Sequence, residues 1–266
     1  MSIEATQVRY GKVGEMRVEV HPTREAMGAA AALATAKEIL RFGKVGKIVS
    51  VIFATGASQL ATLDALTRIE GLPWQQVVGF HMDEYVGLPM EHPASFRGYL
   101  RRNLTQKVGM QKFFEIDGTA ANLEEVCATY AKEMRSIPPQ ICMVGIGENG
   151  HLAFNDPGVA DFSDPLDVKV VPLDATCRIQ QTAEGWFANP AEVPAEAISI
   201  TIPTILRVPT LIVSVPGSRK ASIVRRTLEE PISTACPATI LREHPGTVLY
   251  LDEEAAAEIG NYLSVD

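Results

Sequence analysis

The sequence has 266 residues, of which 46 % are hydrophobic and 21 % are charged, and its formal net charge is −8. This composition is ordinary for a soluble globular protein and supplies enough apolar residues for a large core. The negative charge argues against a nucleic acid as the main partner, because binding a phosphate backbone requires a basic surface. A small anionic ligand is not excluded, since it needs only local positive charge.

The amino-terminal segment carries both signs of charge and contains no apolar run of signal-peptide length. No apolar run elsewhere approaches the roughly eighteen residues that a membrane span needs. The cysteines show neither a CxxC pair nor a metal-ligand spacing with histidine; they are Cys127, Cys142, Cys177 and Cys236. The sequence therefore predicts a cytoplasmic protein with no membrane partner, no metal and no redox cofactor.

Strand-like apolar runs alternate with amphipathic helical segments along most of the chain. The first predicted strand is 17–20, and an Ala-rich helix follows it up to about Phe42, with Thr23 as the N-cap. The later predicted strands are 47–53, 76–82, 141–144, 168–171, 197–200, 210–215 and 248–251. The later predicted helices lie after Ser58, over 92–107, from Asn122, after Ser218 and near the carboxyl end. This alternation predicts one α/β domain, residues 1–266, with a Rossmann-like three-layer fold and a mostly parallel central sheet.

The most informative segment is 144–157, VGIGENGHLAFNDP, which directly follows a predicted buried strand. Glycines at the carboxyl end of a strand let the backbone turn sharply and approach a ligand closely. In open parallel sheets, ligands bind at this edge. The segment therefore predicts a proton-transfer site, although a glycine-rich turn with a solvated histidine is the alternative. Its candidate residues are Asn149, His151 and Asp156 for catalysis, and Gly147 and Gly150 for close approach to a substrate.

A second strand-end loop, 54–58, joins a predicted buried strand to a helix. Backbone N–H groups at a helix N-terminus, together with hydroxyl groups, form a natural anion site. The loop has neither a Walker lysine nor a GxGxxG motif, so it does not indicate a nucleotide, and a plain turn is equally compatible with it. Its candidate anion-binding residues are Thr55, Gly56, Ala57 and Ser58.

Charged residues stand at the ends of two further predicted strands and on one helix. Asp83 and Glu84 end a strand, where a carboxylate can act as a general base or can simply be solvated. Lys220 falls in the first turn of a helix, where a cation opposes the helix dipole unless an anion binds there. Arg178 is either a second cation for that anion or a solvated helix residue. All these loops end parallel strands, so one crevice could collect them for acid–base chemistry on a small phosphorylated molecule.

Six motifs in this order and spacing resemble the glucosamine-6-phosphate deaminase family, within the larger group that also holds 6-phosphogluconolactonases. The resemblance extends from about residue 18 to about residue 254. The deaminase branch fits better, because the lactonases have Asp-Glu-Arg where this chain has Asp83-Glu84-Tyr85. The motifs are FATGAS at 53–58, FHMDEYVGL at 80–88, HPASFRGYL at 92–100, GIGENGHLAFNDP at 145–157, PGSRKA at 216–221 and ACPATILREHPG at 235–246.

The resemblance implies an aldose–ketose isomerisation coupled to loss of ammonia, from glucosamine 6-phosphate to fructose 6-phosphate, without a cofactor. It implies that Asp83 moves the proton between C2 and C1 and that His151 opens the pyranose ring. Residues 55–58 would hold the phosphate, with Arg178 and Lys220 as cationic partners. Members of the family include monomers and closed oligomers, so a homo-oligomer is one expectation. A candidate lid over the site is the segment of about 161–189.

Two positions depart from the family pattern. Characterised deaminases usually have Asp two residues before the motif histidine and Glu five residues after it, where this chain has Asn149 and Asp156. An amide can only hydrogen-bond, so we expect a weaker general base at His151. A slower deaminase, a different amino-sugar epimer and a related isomerase all remain open. So do hydrolysis of a sugar lactone phosphate and a non-catalytic sugar-phosphate-binding protein.

Overall fold

A computed structural model describes residues 7–44, 46–260 and 264–265. The predicted domain, 1–266, also includes a few residues outside these ranges. The strands are β1 Arg9–Val13, β2 Met16–His21, β3 Val49–Phe53, β4 Val77–His81, β5 Asp83–Tyr85, β6 Lys112–Phe113, β7 Ile141–Val144, β8 Val168–Pro172, β9 Glu196–Ile200, β10 Thr210–Val215, β11 Thr247–Asp252 and β12 Ser264–Val265. The α-helices are α1 Arg24–Phe42, α2 Leu60–Arg68, α3 Phe96–Leu100, α4 Leu123–Ser136, α5 Ala175–Ala183, α6 Ile202–Leu206 and α7 Ala221–Glu229. Short 3₁₀ turns are Ala57–Gln59, Trp74–Gln76, Ser218–Lys220 and Pro237–Glu243, and Arg101–Thr105 is π-helical.

The central sheet has the strand order β12-β1-β2-β11-β10-β7-β3-β4-β6. The seven strands β2, β11, β10, β7, β3, β4 and β6 run parallel to one another. Strand β1 is antiparallel to both of its neighbours, β12 and β2. The prediction of a mostly parallel central sheet is confirmed. The carboxyl ends of β3, β4, β7 and β10 meet at one edge, so the loops that follow these strands are neighbours in space.

Both faces of this sheet are covered. Leu211, Val213 and Val215 of β10 pack on one side with residues of α4 and α7, whereas Ile212 packs on the other side with residues of α1 and α2. This alternation follows from the two-residue period of a strand. Because helices cover both faces, the predicted three-layer arrangement is confirmed.

Helix α1 begins where the sequence predicts it. The Thr23 hydroxyl oxygen accepts a hydrogen bond from the backbone N–H of Ala26 at 3.1 Å, which caps the first turn. The helix lies very close to α2, because a Cβ placed on Gly28 would be 2.7 Å from Ala61. None of the helices in the described residues is long and apolar enough to cross a membrane.

Three predicted elements differ from the structure. The predicted strands 168–171 and 197–200 exist as β8 and β9, but they form a separate antiparallel sheet with β5 in the order β5-β9-β8. Their apolar pattern indicates a buried strand without specifying which strand pairs with it. The helix predicted near the carboxyl end is absent from the described residues, since 253–258 form turns.

Candidate active site

A cavity of about 310 Å³ opens at the carboxyl edge of the parallel strands. Loops that follow β3, β4, β7 and β10 all contribute to its wall, as the sequence predicts. Helix α5 and the first residue of α1 complete the wall. Eight of the predicted site residues line the cavity: Thr55, Gly56, Ala57, Ser58, Asp83, Gly147, His151 and Lys220.

Asp83 is the first residue of β5, and its side chain faces the cavity. The residue is 6 % exposed, and its Oδ1 atom is buried without a hydrogen-bond partner among the described residues. Burial raises the pKa of this carboxyl well above its usual range, and the charge of Glu84 adds to the effect. A carboxylate with an unused oxygen and a raised pKa is suited to accept a proton from a bound substrate.

Glu84 does not line the cavity among the described residues, which corrects the expectation that it faces the substrate. Successive side chains of a strand point to opposite faces, so the orientation of Asp83 turns Glu84 away. The Glu84 carboxylate accepts hydrogen bonds from the hydroxyl of Ser95 at 2.9 Å and from the backbone N–H groups of Phe96 and Arg97 at 3.1 and 2.9 Å. It thereby satisfies N–H groups at the start of α3, a structural role.

His151 is held by a closed backbone turn that begins at Gly147. The Gly147 N–H donates to the carbonyl of His151 at 3.0 Å, and the Gly150 N–H donates to the carbonyl of Gly147 at 2.9 Å. A Cβ on Gly147 would lie 2.2 Å from the imidazole ring, so only glycine leaves room for it. The imidazole Nδ1 is 2.8 Å from Oδ1 of Asp156, which leaves Nε2 as the nitrogen that can meet a ligand.

Asn149 and Asp156 lie behind His151 and do not themselves line the cavity. Asn149 donates from Nδ2 to Asp156 at 2.9 Å and to Asp174 at 3.2 Å, and its Oδ1 accepts from the His151 N–H at 3.1 Å. Burial alone would raise the pKa of Asp156, but the hydrogen bonds and charge from His151 and the bond from Asn149 outweigh it and lower the pKa. The imidazole therefore has a carboxylate partner in Asp156, although Asn149 carries no charge.

Gly150 packs against Cys236 and does not lie at the cavity wall, where the sequence predicts close approach to a substrate. Its φ of +89° is the left-handed conformation that glycine adopts readily. A Cβ at this position would lie 2.8 Å from the sulfur of Cys236, so Gly150 allows close packing beneath the loop. It does not line the cavity among the described residues.

The anion-binding half of the cavity consists of two similar turns. Gly56 follows β3 and Gly217 follows β10, with φ of +87° and +92°, and each leads through a 3₁₀ turn into a helix. The hydroxyl of Tyr99 donates to the carbonyl of Gly56 at 2.9 Å and steadies the first turn. Backbone N–H groups at helix N-termini attract anions. The Gly56 turn has this geometry, whereas at the Gly217 turn the N–H of Gly217 donates to Asp252 and the N–H of Ser218 donates to Glu254.

Lys220 is buried at the second turn, and its Nζ donates to the carbonyl of Ile146 at 2.9 Å. Burial lowers the pKa of this ammonium group, an effect that the carboxylates of Glu184 and Glu148 oppose. The cation therefore has a desolvation cost that a bound anion would offset.

Arg178 is not part of this cavity, which corrects its predicted phosphate contact. Its Nη2 donates to the carbonyl of Pro190 at 2.7 Å. The helical period explains the difference, because α5 turns other positions toward the cavity. Two arginines that the sequence analysis missed, Arg24 and Arg219, line it instead. Arg24 stands in the first turn of α1, the same unfavourable helix position that singled out Lys220.

Helix α5 contributes Gln180 and Gln181 to the polar wall of the cavity, and Glu184, the residue after the helix, adds a carboxylate beside those of Glu148 and Glu254. The Gln180 side-chain oxygen accepts from the Glu148 N–H at 2.9 Å, and the Gln181 oxygen accepts from the Tyr85 hydroxyl at 2.8 Å. The candidate lid, 161–189, thus contains both β8, which is paired in the small sheet, and α5, which lies against the cavity.

One group of side chains has the composition of a metal site. The ligand atoms of His151, Asp156 and Cys177 lie within 4.8 Å of one another, and all three residues are buried. Burial, with the charges of Asp156 and Asp174, raises the pKa of the Cys177 thiol well above its usual range.

Comparison with known proteins agrees with this arrangement. The family model described as glucosamine-6-phosphate isomerases/6-phosphogluconolactonase matches residues 22–250. The chain is 34 % identical over 204 residues to a glucosamine-6-phosphate deaminase of Exiguobacterium sibiricum, covering 77 % of this chain and 79 % of the relative. It is 32 % identical over 218 residues to glucosamine-6-phosphate deaminase 1 of Giardia intestinalis, covering 78 % and 79 %.

Solved structures show the same fold. A monomeric glucosamine-6-phosphate deaminase superimposes with a TM-score of 0.83 at 30 % identity, covering 91 % of this chain and 99 % of the other. A 6-phosphogluconolactonase from Trypanosoma brucei superimposes with a TM-score of 0.76 at 21 % identity, covering 91 % and 98 %, which is a likeness of fold. By the match over residues 22–250 and these identities, the chain belongs to the glucosamine-6-phosphate isomerase/6-phosphogluconolactonase family.

Proposed function

We propose that this protein converts an amino-sugar 6-phosphate to a ketose 6-phosphate and ammonia, with glucosamine 6-phosphate giving fructose 6-phosphate. The observation that carries the proposal is Asp83, which lines the same cavity as His151 and the two glycine turns and has an Oδ1 atom without a hydrogen-bond partner among the described residues. Relatives named glucosamine-6-phosphate deaminase, at 34 % and 32 % identity, support the choice of substrate.

His151 and Asp83 carry out the acid–base steps of the proposed reaction. His151, oriented by Asp156, takes the anomeric hydroxyl proton and returns a proton to the ring oxygen, which opens the pyranose ring. Asp83 then removes the proton from C2 while O1 takes up a proton that the substrate's ammonium group gives up. Delivery of the C2 proton to C1 leaves C2 as an imine carbon. Water adds at C2 and ammonia leaves, which balances the substrate and one water against the ketose phosphate and ammonia.

The phosphate end is proposed to use residues 55–58 together with Lys220, Arg24 and Arg219. Their backbone N–H groups and cationic side chains would hold a dianion, and binding it far from C2 fixes the orientation of the sugar. Arg24 and Arg219 are preferred to Arg178 in this role because they line the cavity and Arg178 does not, although Arg219 also pairs with Glu148. Closure of α5 over the cavity, a homo-oligomer and a cytoplasmic location stay predictions.

The test is ammonia release from purified protein offered glucosamine 6-phosphate and, separately, galactosamine 6-phosphate. We expect turnover of one of them, with its loss in Asp83→Asn and its retention in the surface variant Asp161→Asn. No ammonia from either sugar, despite measurable binding, would overturn the proposal. Acid release from 6-phosphogluconolactone under the same conditions would point instead to a lactonase.

A further inference from the structure

Glu184 places a carboxylate over the turn that is proposed to hold the phosphate. The residue follows the last residue of α5 and is half-buried, and its side chain lines the cavity. A Cβ built on Gly56 would be 4.0 Å from Glu184 Oε2. A negative group thus lies beside backbone that is suited to bind an anion, where a second anion would be repelled.

This carboxylate is held in position by its own neighbours. Oε1 accepts from the side-chain amide of Gln180 at 2.7 Å, and Oε2 accepts from the indole N–H of Trp186 at 3.2 Å. Its charge also acts on both halves of the cradle: it raises the pKa of Lys220 against the effect of burial, and it adds to the burial that raises the pKa of Tyr99. Glu184 therefore lies beside the Gly56 turn, and its negative charge is felt at Lys220.

We infer that the Glu184 carboxylate must move away from the Gly56 turn before a phosphorylated ligand can bind there. The inference rests on the proposed function for the position of the phosphate. A phosphate held at the Gly56 turn would be repelled by the Glu184 carboxylate, so the two anions cannot share the cradle without loss of affinity. Glu184 thereby weakens the binding of a phosphate dianion until its side chain moves, whereas a neutral sugar is not repelled.

The first experiment measures binding of inorganic phosphate and of glucosamine 6-phosphate by titration calorimetry to the unaltered enzyme, Glu184→Gln and Glu192→Gln. Glutamine keeps the shape of the side chain and removes its charge. Glu192 is exposed in the same region and hydrogen-bonds to Asn189, so it controls for the loss of one negative charge. We expect Glu184→Gln to bind phosphate at least about fivefold more tightly, and Glu192→Gln to stay within twofold.

The second readout is tryptophan fluorescence, because Trp186 is bonded to Glu184 and the sequence has two tryptophans. Phosphate should change the emission of the unaltered enzyme and of Trp74→Phe but leave that of Trp186→Phe unchanged. Equal or weaker phosphate binding by Glu184→Gln, or emission of Trp186 that ignores saturating phosphate, overturns the inference. Both readouts use inorganic phosphate, so failure of the deaminase assay alone would not affect them.

Discussion

Asp83 and Glu84 are consecutive residues of β5, yet their carboxylates are directed to opposite sides of the strand. The carboxylate of Glu84 accepts hydrogen bonds from Ser95, Phe96 and Arg97, whereas Oδ1 of Asp83 has no partner among the described residues. The first arrangement is structural, since it satisfies donors at the start of α3. The second leaves a carboxyl oxygen without a partner in a residue that lines the cavity, which is why Asp83 is the proposed base.

Replacing Asp83 by Asn should lower the rate of ammonia release at least about 10³-fold, because an amide cannot accept the C2 proton. The measurement is kcat at saturating substrate, with Asp161→Asn as the matched control. Substrate affinity should remain within a few-fold, since the phosphate cradle is untouched. Activity above one tenth of that of the unaltered enzyme would contradict the role of Asp83 as the base.

The same substitution should stabilise the fold. Because burial raises the pKa of Asp83 in the folded state, the folded protein retains this proton at a pH where the unfolded chain has lost it. Folding stability therefore falls as the pH rises from about 4, the ordinary carboxyl value, toward the raised value. Asp83→Asn should melt about 2–4 °C higher than the unaltered protein at pH 7, with little difference at pH 4. Equal melting temperatures of Asp83→Asn and the unaltered protein at pH 7 would argue against a raised pKa of Asp83 in the folded state.

Glu84→Gln should destabilise the fold while leaving the activity of the folded protein nearly unchanged. One amide N–H₂ group would face the backbone N–H donors of α3, and Arg97 would lose its ion pair at 3.4 Å with Glu84 and keep only the one with Asp117. We expect a loss of about 2–4 kcal/mol in the free energy of unfolding in urea, with kcat of the folded fraction within a few-fold of normal. A large fall in kcat without a loss of stability would return Glu84 to the substrate side.

Asn149→Asp, which introduces the residue usual in the family, should destabilise this protein without raising its activity. The new carboxylate would face Asp156 and Asp174, to both of which Asn149 now donates a hydrogen bond. We expect a lower melting temperature and no gain in kcat. Adding Asp174→Asn to this variant should recover part of the loss, and a single variant that is faster and equally stable would refute this account of Asn149.

Gly147→Ala should displace His151 while leaving the fold intact, because the added methyl group would lie 2.2 Å from the imidazole. A displacement of this size should lower kcat by at least about 10²-fold. Gly109→Ala is the control, since the nearest atom to its added Cβ would be 3.8 Å away. Circular dichroism shows whether the fold is intact. An unchanged kcat in Gly147→Ala would show that activity does not depend on the exact position of His151.

Arg24→Gln should raise KM for the phosphorylated sugar at least about fivefold with a smaller change in kcat, because Arg24 is proposed to contact the phosphate. Arg178→Gln is its counterpart outside the cavity and should leave KM within twofold. The reverse order of effects would restore Arg178 as the phosphate ligand and exclude Arg24.

The positions of most strands, the mostly parallel sheet and the position of the cavity follow from sequence patterns with direct physical causes. Buried parallel strands read as short apolar runs, so β7 was predicted at its observed bounds, and the Thr23 cap marks the start of α1. Glycine-rich strand ends then predicted which loops meet. Asp83 and His151 were predicted on these grounds and do line one cavity.

The remaining contacts depend on information that one-dimensional patterns carry weakly. Alternation along β5 would have separated Glu84 from Asp83 had the strand been predicted to include both. Arg178 and Glu184 lie on or next to one helix, and only the packed orientation of α5 shows which of them faces the cavity. Arg24 is far from the other loops in the chain, although a cation in a first helical turn was a usable signal.

The turn that holds His151 is tied by hydrogen bonds between its own backbone groups, from Gly147 to His151 and from Gly150 to Gly147. The conformational entropy of these residues is therefore lost when the chain folds, and little of it remains to be lost when a sugar arrives. The acid–base side of the site is accordingly rigid before the substrate enters. The ordering entropy of association should come mainly from the sugar itself and from whichever part of the wall rearranges around it.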